Sequence, residues 1–290
     1  MAPTVPQLRT LLAVVETGSF TAAAQSLGVS QSSVSRTLRA LEEDLGGNLL
    51  DRDRSNAPTA LAGELLPHAR AAVAALDALE GSVRARSGVP EGRIRLGAVP
   101  TVCQGLVPGL LGVWSARLPK VEVSLFEGDD DEIPEWLENG TVDAAILVDP
   151  HPDPPGSVRV GEDEYCAIVR RDHPLAGERA IPLGELQEDG LIVNTGGCEN
   201  EVRRIHAKAG LPFEMRQRVR ELATLMMMVQ EGVGVAIMPS LGEVMLPKTL
   251  KMVPLEPTLG RRLVLSGPTN RAWSPLTEAL VGATRVETGH

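Results

Sequence analysis

Apolar residues recur every three or four positions near the start of the chain: Leu8, Leu11, Leu12 and Val15. That spacing predicts a helix, and Gly18 ends it. A second helix is expected from Ser19 or Phe20 through Ala22-Ala23-Ala24-Gln25-Ser26-Leu27, stopping at Gly28. Ser30 is placed to cap a third, which carries Val34, Leu38, Leu41 and Leu45 on one face. The short break Leu27-Gly28-Val29-Ser30 reads as the turn of a helix-turn-helix. The three alanines let its two helices approach closely, and Gly28 permits the sharp turn.

From residue 59 to 86 the pattern predicts one long helix. Leu65, Ala69, Ala72, Leu76, Leu79 and Val83 repeat in alternating steps of four and three, which makes a heptad seam. Such a seam must be covered by a partner helix or by its own domain. Pro67 interrupts it, removes one backbone bond to Gly63, and is expected to add a slight kink. Residues 87–92 have the composition of a hinge. After them, β-type runs alternate with helical ones: strands at 93–99, 121–127 and within 141–148, helices at 105–118 and 133–139. A second, similar unit runs over 165–262, with strands at 191–193 and 234–239 and helices at 199–209 and 221–230. Leu263-Val264-Leu265 is expected to cross back to the first lobe before a last helix at 275–286. Alternation of this kind implies an α/β fold with parallel sheets and ligand crevices at the strand C-terminal ends.

Composition narrows the function. The chain has 290 residues, 43% hydrophobic and 23% charged, enough for two or three globular domains. No apolar run is long enough to span a membrane, and the first residues lack the pattern of a signal peptide, so a cytoplasmic protein is expected. Three scattered cysteines (Cys103, Cys166, Cys198) argue against a disulfide scaffold and a structural zinc site. No histidine has metal-ligand spacing with another, so no metal and no cofactor are expected. The net charge of −10 runs against DNA binding, but it is unevenly spread: residues 1–90 net −1 and the remainder −9.

The third helix begins with Gln31, Ser32, Ser33, Ser35, Arg36 and Arg39. These are hydrogen-bonding groups and arginines at the end that would enter a major groove. The plain alternative is a solvated polar face. The wider pattern favours DNA. Phe20-Thr21-Ala22-Ala23-Ala24, then Leu27 through Arg36, then Leu41-Glu42 and Leu45-Gly46 follow one signature over about sixty residues. In them the chain resembles the LysR-type transcriptional regulators. Two positions depart from that family: Ser32 stands where a proline is common, and Leu49-Leu50-Asp51-Arg52 replaces Leu-Phe-x-Arg.

The resemblance implies a winged helix-turn-helix over 1–58, a linker dimerisation helix over 59–87, and a two-lobed, periplasmic-binding-protein-like α/β effector domain over 88–290. Lobe I would take about 92–163 and 266–290, and lobe II about 164–265. It implies contact with double-stranded promoter DNA through Thr21, Ser30, Gln31, Ser32, Ser33, Ser35, Arg36 and Arg39. Arg52 and Arg54 would join them from a wing diluted by Asp51 and Asp53. It also implies a homodimer paired through the linker helix, and a homotetramer. Looser likeness continues through Asp143-Ala144-Ala145-Ile146, His173-Pro174-Leu175 and the stretch from Val229 to Pro239.

The effector should lie between the lobes. Pro100-Thr101-Val102-Cys103 and Asn194-Thr195-Gly196-Gly197-Cys198 each follow a strand and open a helix. Their backbone N–H groups and hydroxyls favour an anion such as a carboxylate, although both threonines could simply cap helices. Glu127, Val148 and Thr224 are further positions expected to face the cleft. Aromatics make up only 2% of the chain, which points to a small effector and away from a stacked ring. Cys103 and Cys198 admit a second reading, a cytoplasmic small-molecule or thiol-redox sensor of the same fold with little DNA affinity, if the helix ends lower their thiol pKa. The simpler view is two small residues lining a pocket. No P-loop, dinucleotide fingerprint, Gly-x-Ser-x-Gly or carboxylate pair with a nearby His is present, so no enzyme is expected. A solute-binding protein would not need residues 1–86.

Overall fold

The computed structural model describes residues 2–51, 56–85 and 90–285, without the side chains of 82–85. The chain forms two compact units, one built mainly from the first 88 residues and one mainly from residue 89 onward.

The first unit is three short helices, a small hairpin and a long helix. Helix α1 (Val5–Thr17) starts at a capping box in which Thr4 and Gln7 bond reciprocally. Helix α2 (Phe20–Leu27) is capped by Ser19 and α3 (Gln31–Leu45) by Ser30. Each of the three helices ends on a glycine in the left-handed region: Gly18, Gly28 and Gly46, with φ of 63°, 66° and 75°. Ala23 and Ala24 are buried where α2 meets its neighbours, as the alanine run suggested. Strands β1 (Leu50–Asp51) and β2 (Ala57–Pro58) pair antiparallel as the base of the wing.

Helix α4 (Ala60–Ala85) contains Pro67 without ending there. Its first half does not offer a continuous seam to a partner. Leu65 and Ala69 pack into the core of their own domain, beside Leu11, Val14, Leu38 and Leu66. Arg9 of α1 fixes the second half through Asp77 at 2.6 Å and Glu80 at 3.4 Å. Ala72 and Leu79 remain exposed and Leu76 half-buried, so the heptad pattern serves two faces in succession. The Val83 side chain lies outside those described.

The second unit opens with β3 (Gly92–Ala98), followed by helices α5 (Pro100–Gly105) and α6 (Val107–Arg117). One helix over 105–118 was expected. Two form because Pro108 offers no N–H to the preceding turn and Leu106 leaves helical geometry at φ −121°, ψ −48°. Strand β4 (Val121–Glu127), helix α7 (Glu132–Asn139) and strand β5 (Ala144–Val148) complete the first run of alternation. Then come the 13-residue β6 (Val158–Arg170), β7 (Ile181–Pro182), β8 (Leu191–Asn194), α8 (Glu199–Ala209), β9 (Gln217–Val219) and α9 (Leu222–Gln230). Strands β10 (Val235–Pro239), β11 (Leu250–Glu256) and β12 (Gly260–Ser266), with helix α10 (Pro275–Arg285), close the unit.

The strands run β4-β3-β5-β12-β6-β10-β8-β9, with β11 also paired to β6. Pairs β3/β4, β3/β5, β8/β10 and β8/β9 are parallel, as alternation predicted. Every pair involving β6 or β12 is antiparallel, so the sheets are mixed. The cause is the crossing. The first half of β6 pairs with β12 and its second half with β10 and β11, so one strand serves both lobes. The return strand also moves a boundary. Leu263 to Ser266 pair with β5, and so belong to the first lobe's sheet instead of extending the second lobe to residue 265.

Candidate functional site

The N-terminus of α3 is built for rigid presentation. Ser30 accepts from the Ser33 backbone N–H at 3.2 Å, and its hydroxyl lies 3.0 Å from those of Ser32 and Ser33. Val34, Leu38 and Leu41 anchor the inner face in the core. The outer face carries Gln31, Ser32, Arg36 and Arg39, all exposed, with Ser33 and Ser35 half-buried beside them. Thr21 is exposed on the first turn of α2. Ser32, Arg36 and Arg39 are four and three residues apart, hence on one stripe. Among the described residues neither arginine has an ion-pair partner, so both cations are free for phosphate or base edges. Arg52 and Arg54 lie outside the described residues.

Sequence reading assigned no role to Glu42. It is 7% exposed and accepts from the backbone N–H groups of Leu49 and Leu50 at 2.9 and 3.4 Å, tying the far end of α3 to β1 of the wing. Glu42→Ala would leave buried donors unpaired. We expect a loss of about 1–3 kcal/mol in urea unfolding and faster exchange at those two amides.

In the second unit a narrow cavity of about 10 Å³, room for roughly one water, is lined by Val99, Pro100, Thr101, Asp130, Asn194 and Arg261, closed by Gly196, Gly197, Cys198 and Leu222. Four of the expected effector residues line it: Pro100, Thr101, Asn194 and Gly196. The other six do not. Val102 is in the core, and Cys103 donates its thiol to the Ala98 carbonyl. Glu127, Thr195 and Thr224 are exposed, and Val148 is half-buried at the end of β5. The Thr195 N–H is already bonded to the Val219 carbonyl at 2.9 Å, so it is not free for an anion. The Asn194 amide is likewise committed to the Arg220 carbonyl at 2.6 Å.

Chain-distant charges dominate this cavity. Arg261 is 3% exposed and grips Asp163 through Nε at 2.5 Å and Nη2 at 3.0 Å. Its Nη2 also donates to the Thr101 hydroxyl at 2.8 Å. Asp163 accepts in addition from the Leu241 N–H at 3.1 Å. The Arg261 guanidinium lies 5.9 Å from the centre of the Tyr165 ring. Asp130 reaches the helix-opening loop of α8, where a Cβ on Gly197 would stand 3.0 Å from its Oδ2. A side chain there would collide with the carboxylate, so the glycine allows the approach.

Burial pushes the Asp130 carboxyl up from 3.8 to about 6; Arg261 opposes the shift, while Glu201, Asp131 and Asp129 add to it. A carboxyl raised on folding contributes stability that is present below about pH 4 and lost as the pH climbs through about 6. Asp130→Asn should flatten that part of the stability–pH curve and gain on the wild type by up to about 3 kcal/mol at pH 8, as read by urea titration across pH.

The cysteines fit the simpler view of small packed residues: Cys198 lines the cavity and Cys103 is buried. Burial holds the Cys103 and Cys198 thiols up at about 12, with Glu127 reinforcing the first and Asp130 the second. Desolvation outweighs any help from a helix end, and neither thiol is activated. Among the described residues no three His, Cys, Asp or Glu side chains are grouped to hold a metal ion.

Known proteins match this architecture along its length. A family described as "LysR substrate binding domain" matches residues 87–287, and "Bacterial regulatory helix-turn-helix protein, lysR family" matches residues 5–64. The chain is similar to the Bacillus subtilis (strain 168) protein named uncharacterized HTH-type transcriptional regulator YvbU. They are 31% identical over 269 residues, covering 91% of this chain and 92% of that one. It is also similar to a probable hydrogen peroxide-inducible genes activator of Mycobacterium leprae (strain TN), 34% identical over 242 residues, 82% of this chain and 78% of the relative. Among solved structures, full-length CbnR complexed with its target DNA shares the fold with a TM-score of 0.67 at 23% identity, over 98% of this chain and 99% of that one.

Proposed function

Because this chain belongs to the LysR family of bacterial transcriptional regulators, we propose that α3 reads specific operator DNA under the control of a small molecule held between the lobes of the second unit. The protein is a regulator and not an enzyme. The observation that carries the reading is the exposed stripe of Ser32, Arg36 and Arg39, whose two arginines have no ion-pair partner among the described residues, mounted on a firmly capped helix. A domain that nets −1 cannot bind phosphate by bulk charge, so contact depends on where its arginines stand.

The active form is a homodimer joined along the second half of α4, where Ala72, Leu76 and Leu79 line up, and two dimers pair into a tetramer. Dimerisation places two recognition helices in major grooves about one helical turn, or a multiple of it, apart. The effector is a small molecule carrying a carboxylate, placed against Thr101 and Arg261. Its binding favours one lobe arrangement and thereby changes the spacing or bend imposed on the half-sites. The protein works in the cytoplasm, and no helix among the described residues is long and apolar enough to cross a membrane. A peroxide-type role, suggested by the name of the mycobacterial relative, finds no support in thiols that burial holds at about 12.

Capture of fragmented genomic DNA by the purified chain tests the reading. A small set of fragments should be enriched over bulk DNA. Enrichment no greater than that of a protein lacking the α3 arginines would refute it.

A further inference from the structure

The second lobe holds a roomier cavity than the cleft does, with a volume of about 170 Å³. The two share no lining residue. Leu183, Leu186, Leu191 and Ile237 form a buried apolar wall, and Gln187 and Glu214 stand exposed at the mouth. The cavity grips the far ends of two elements that serve the cleft. Leu191 begins β8, whose last residue, Asn194, lines the cleft cavity. His206, the remaining buried side chain of the wall, lies in the last turn of α8, which starts just after Cys198.

His206 gives this cavity its chemistry. The residue is 5% exposed, and its Nδ1 lies 2.7 Å from the Val202 carbonyl. A carbonyl only accepts, so Nδ1 carries the proton and Nε2 keeps a lone pair. The Phe213 ring meets the imidazole edge-on at 5.3 Å, and the Arg203 guanidinium covers Phe213 at 4.2 Å, so the imidazole is held in place. Nε2 has no partner among the described residues, yet it is not sealed in as the Tyr165 hydroxyl is. The space it opens to is the cavity that its ring lines.

A lone pair in an apolar wall selects a hydrogen-bond donor. Among the described residues no three His, Cys, Asp or Glu side chains are grouped there to hold a metal ion. A carboxylate would meet Glu214 at the mouth and the lone pair inside, and both repel it. An ammonium would lose its water against four aliphatic side chains. A neutral donor remains. Size sets the rest: an apolar cavity of about 150 Å³ holds one benzene ring, so this one admits a single ring and little more.

We propose that the second lobe carries a further ligand site for a small neutral ring with one hydroxyl, of the phenol class. The hydroxyl donates to His206 Nε2, and the ring packs on Leu183, Leu186, Leu191 and Ile237. This site is separate from the effector placed in the cleft. A ligand there ties β8 to α8, the two elements that carry the cleft loop.

The test uses the full-length chain at pH 8, where an ordinary imidazole is neutral. Phenol, toluene and benzoate are titrated by calorimetry. Toluene matches phenol in size and lacks only the donor. Phenol should bind, toluene roughly tenfold or more weakly, because it leaves the lone pair unmet, and benzoate not at all. His206→Leu should remove the preference for phenol over toluene. A second measurement leaves His206 intact. In protein carrying ¹⁵N-histidine, phenol should move the Nε2 signal of His206, assigned by substituting the other four histidines in turn. That signal decides the matter if His206→Leu does not fold. No phenol binding at roughly 10 mM would overturn the proposal. So would toluene or benzoate binding as tightly as phenol, a preference for phenol that survives His206→Leu, or phenol binding that leaves the His206 signal unmoved.

Discussion

Arg36→Ala should abolish preference for the operator while the protein stays folded. The side chain is exposed, has no ion-pair partner among the described residues, and stands one turn beyond Ser32 on the outer face of α3. Removing it disturbs no core contact, since Val34 and Leu38 hold the inner face. A bidentate arginine–base contact is worth about 1–3 kcal/mol, and a dimer makes two. Affinity for the operator should therefore fall by roughly 30-fold to 10⁴-fold, with little change for unrelated DNA. Gel-shift titrations on both DNAs at one salt concentration read the difference. An equal loss on both would assign Arg36 to phosphate and move sequence reading to its neighbours Gln31 and Arg39.

The second large effect lies in the cleft. Arg261→Met should lower the stability of the second unit by about 3–5 kcal/mol, because it strands Asp163 as a buried, unpaired carboxylate. For a domain of this size the melting temperature should drop by roughly 10 °C. Asp163→Asn in the same chain should recover at least half of the loss. The asparagine keeps an oxygen for the Leu241 N–H, which now sits 3.1 Å from the carboxylate, and brings no charge. Two losses that simply added would mean that the pair is not coupled and that Arg261 acts through packing alone.

The helix-turn-helix was legible in the sequence because its determinants are local. Ser19 and Ser30 cap the helices that come after them, and Gly18, Gly28 and Gly46 end helices in a conformation that other residues resist. The alternation of strands and helices was equally plain, since each run declares its own period. What failed to show depends on distance along the chain. Glu162-Asp163-Glu164 sits mid-strand and hides β6, because Asp163 is buried by an arginine 98 residues away. Leu65 and Ala69 fit a seam, but α1 reaches them first. Thr195 was offered to an anion on the strength of a helix start, yet its N–H is spent on Val219 of β9. Asp130, within the run of four acids from Asp129 to Glu132, carries no local mark that one of its oxygens is buried.

The most direct test of the account is footprinting of the strongest captured fragment at low salt, with wild type and Arg36→Ala side by side. Wild type should protect two segments on one face of the duplex, about one helical turn or a whole multiple of it apart, and Arg36→Ala should protect neither. Absence of protection by wild type at low salt, where phosphate contacts are strongest, would contradict DNA reading by α3.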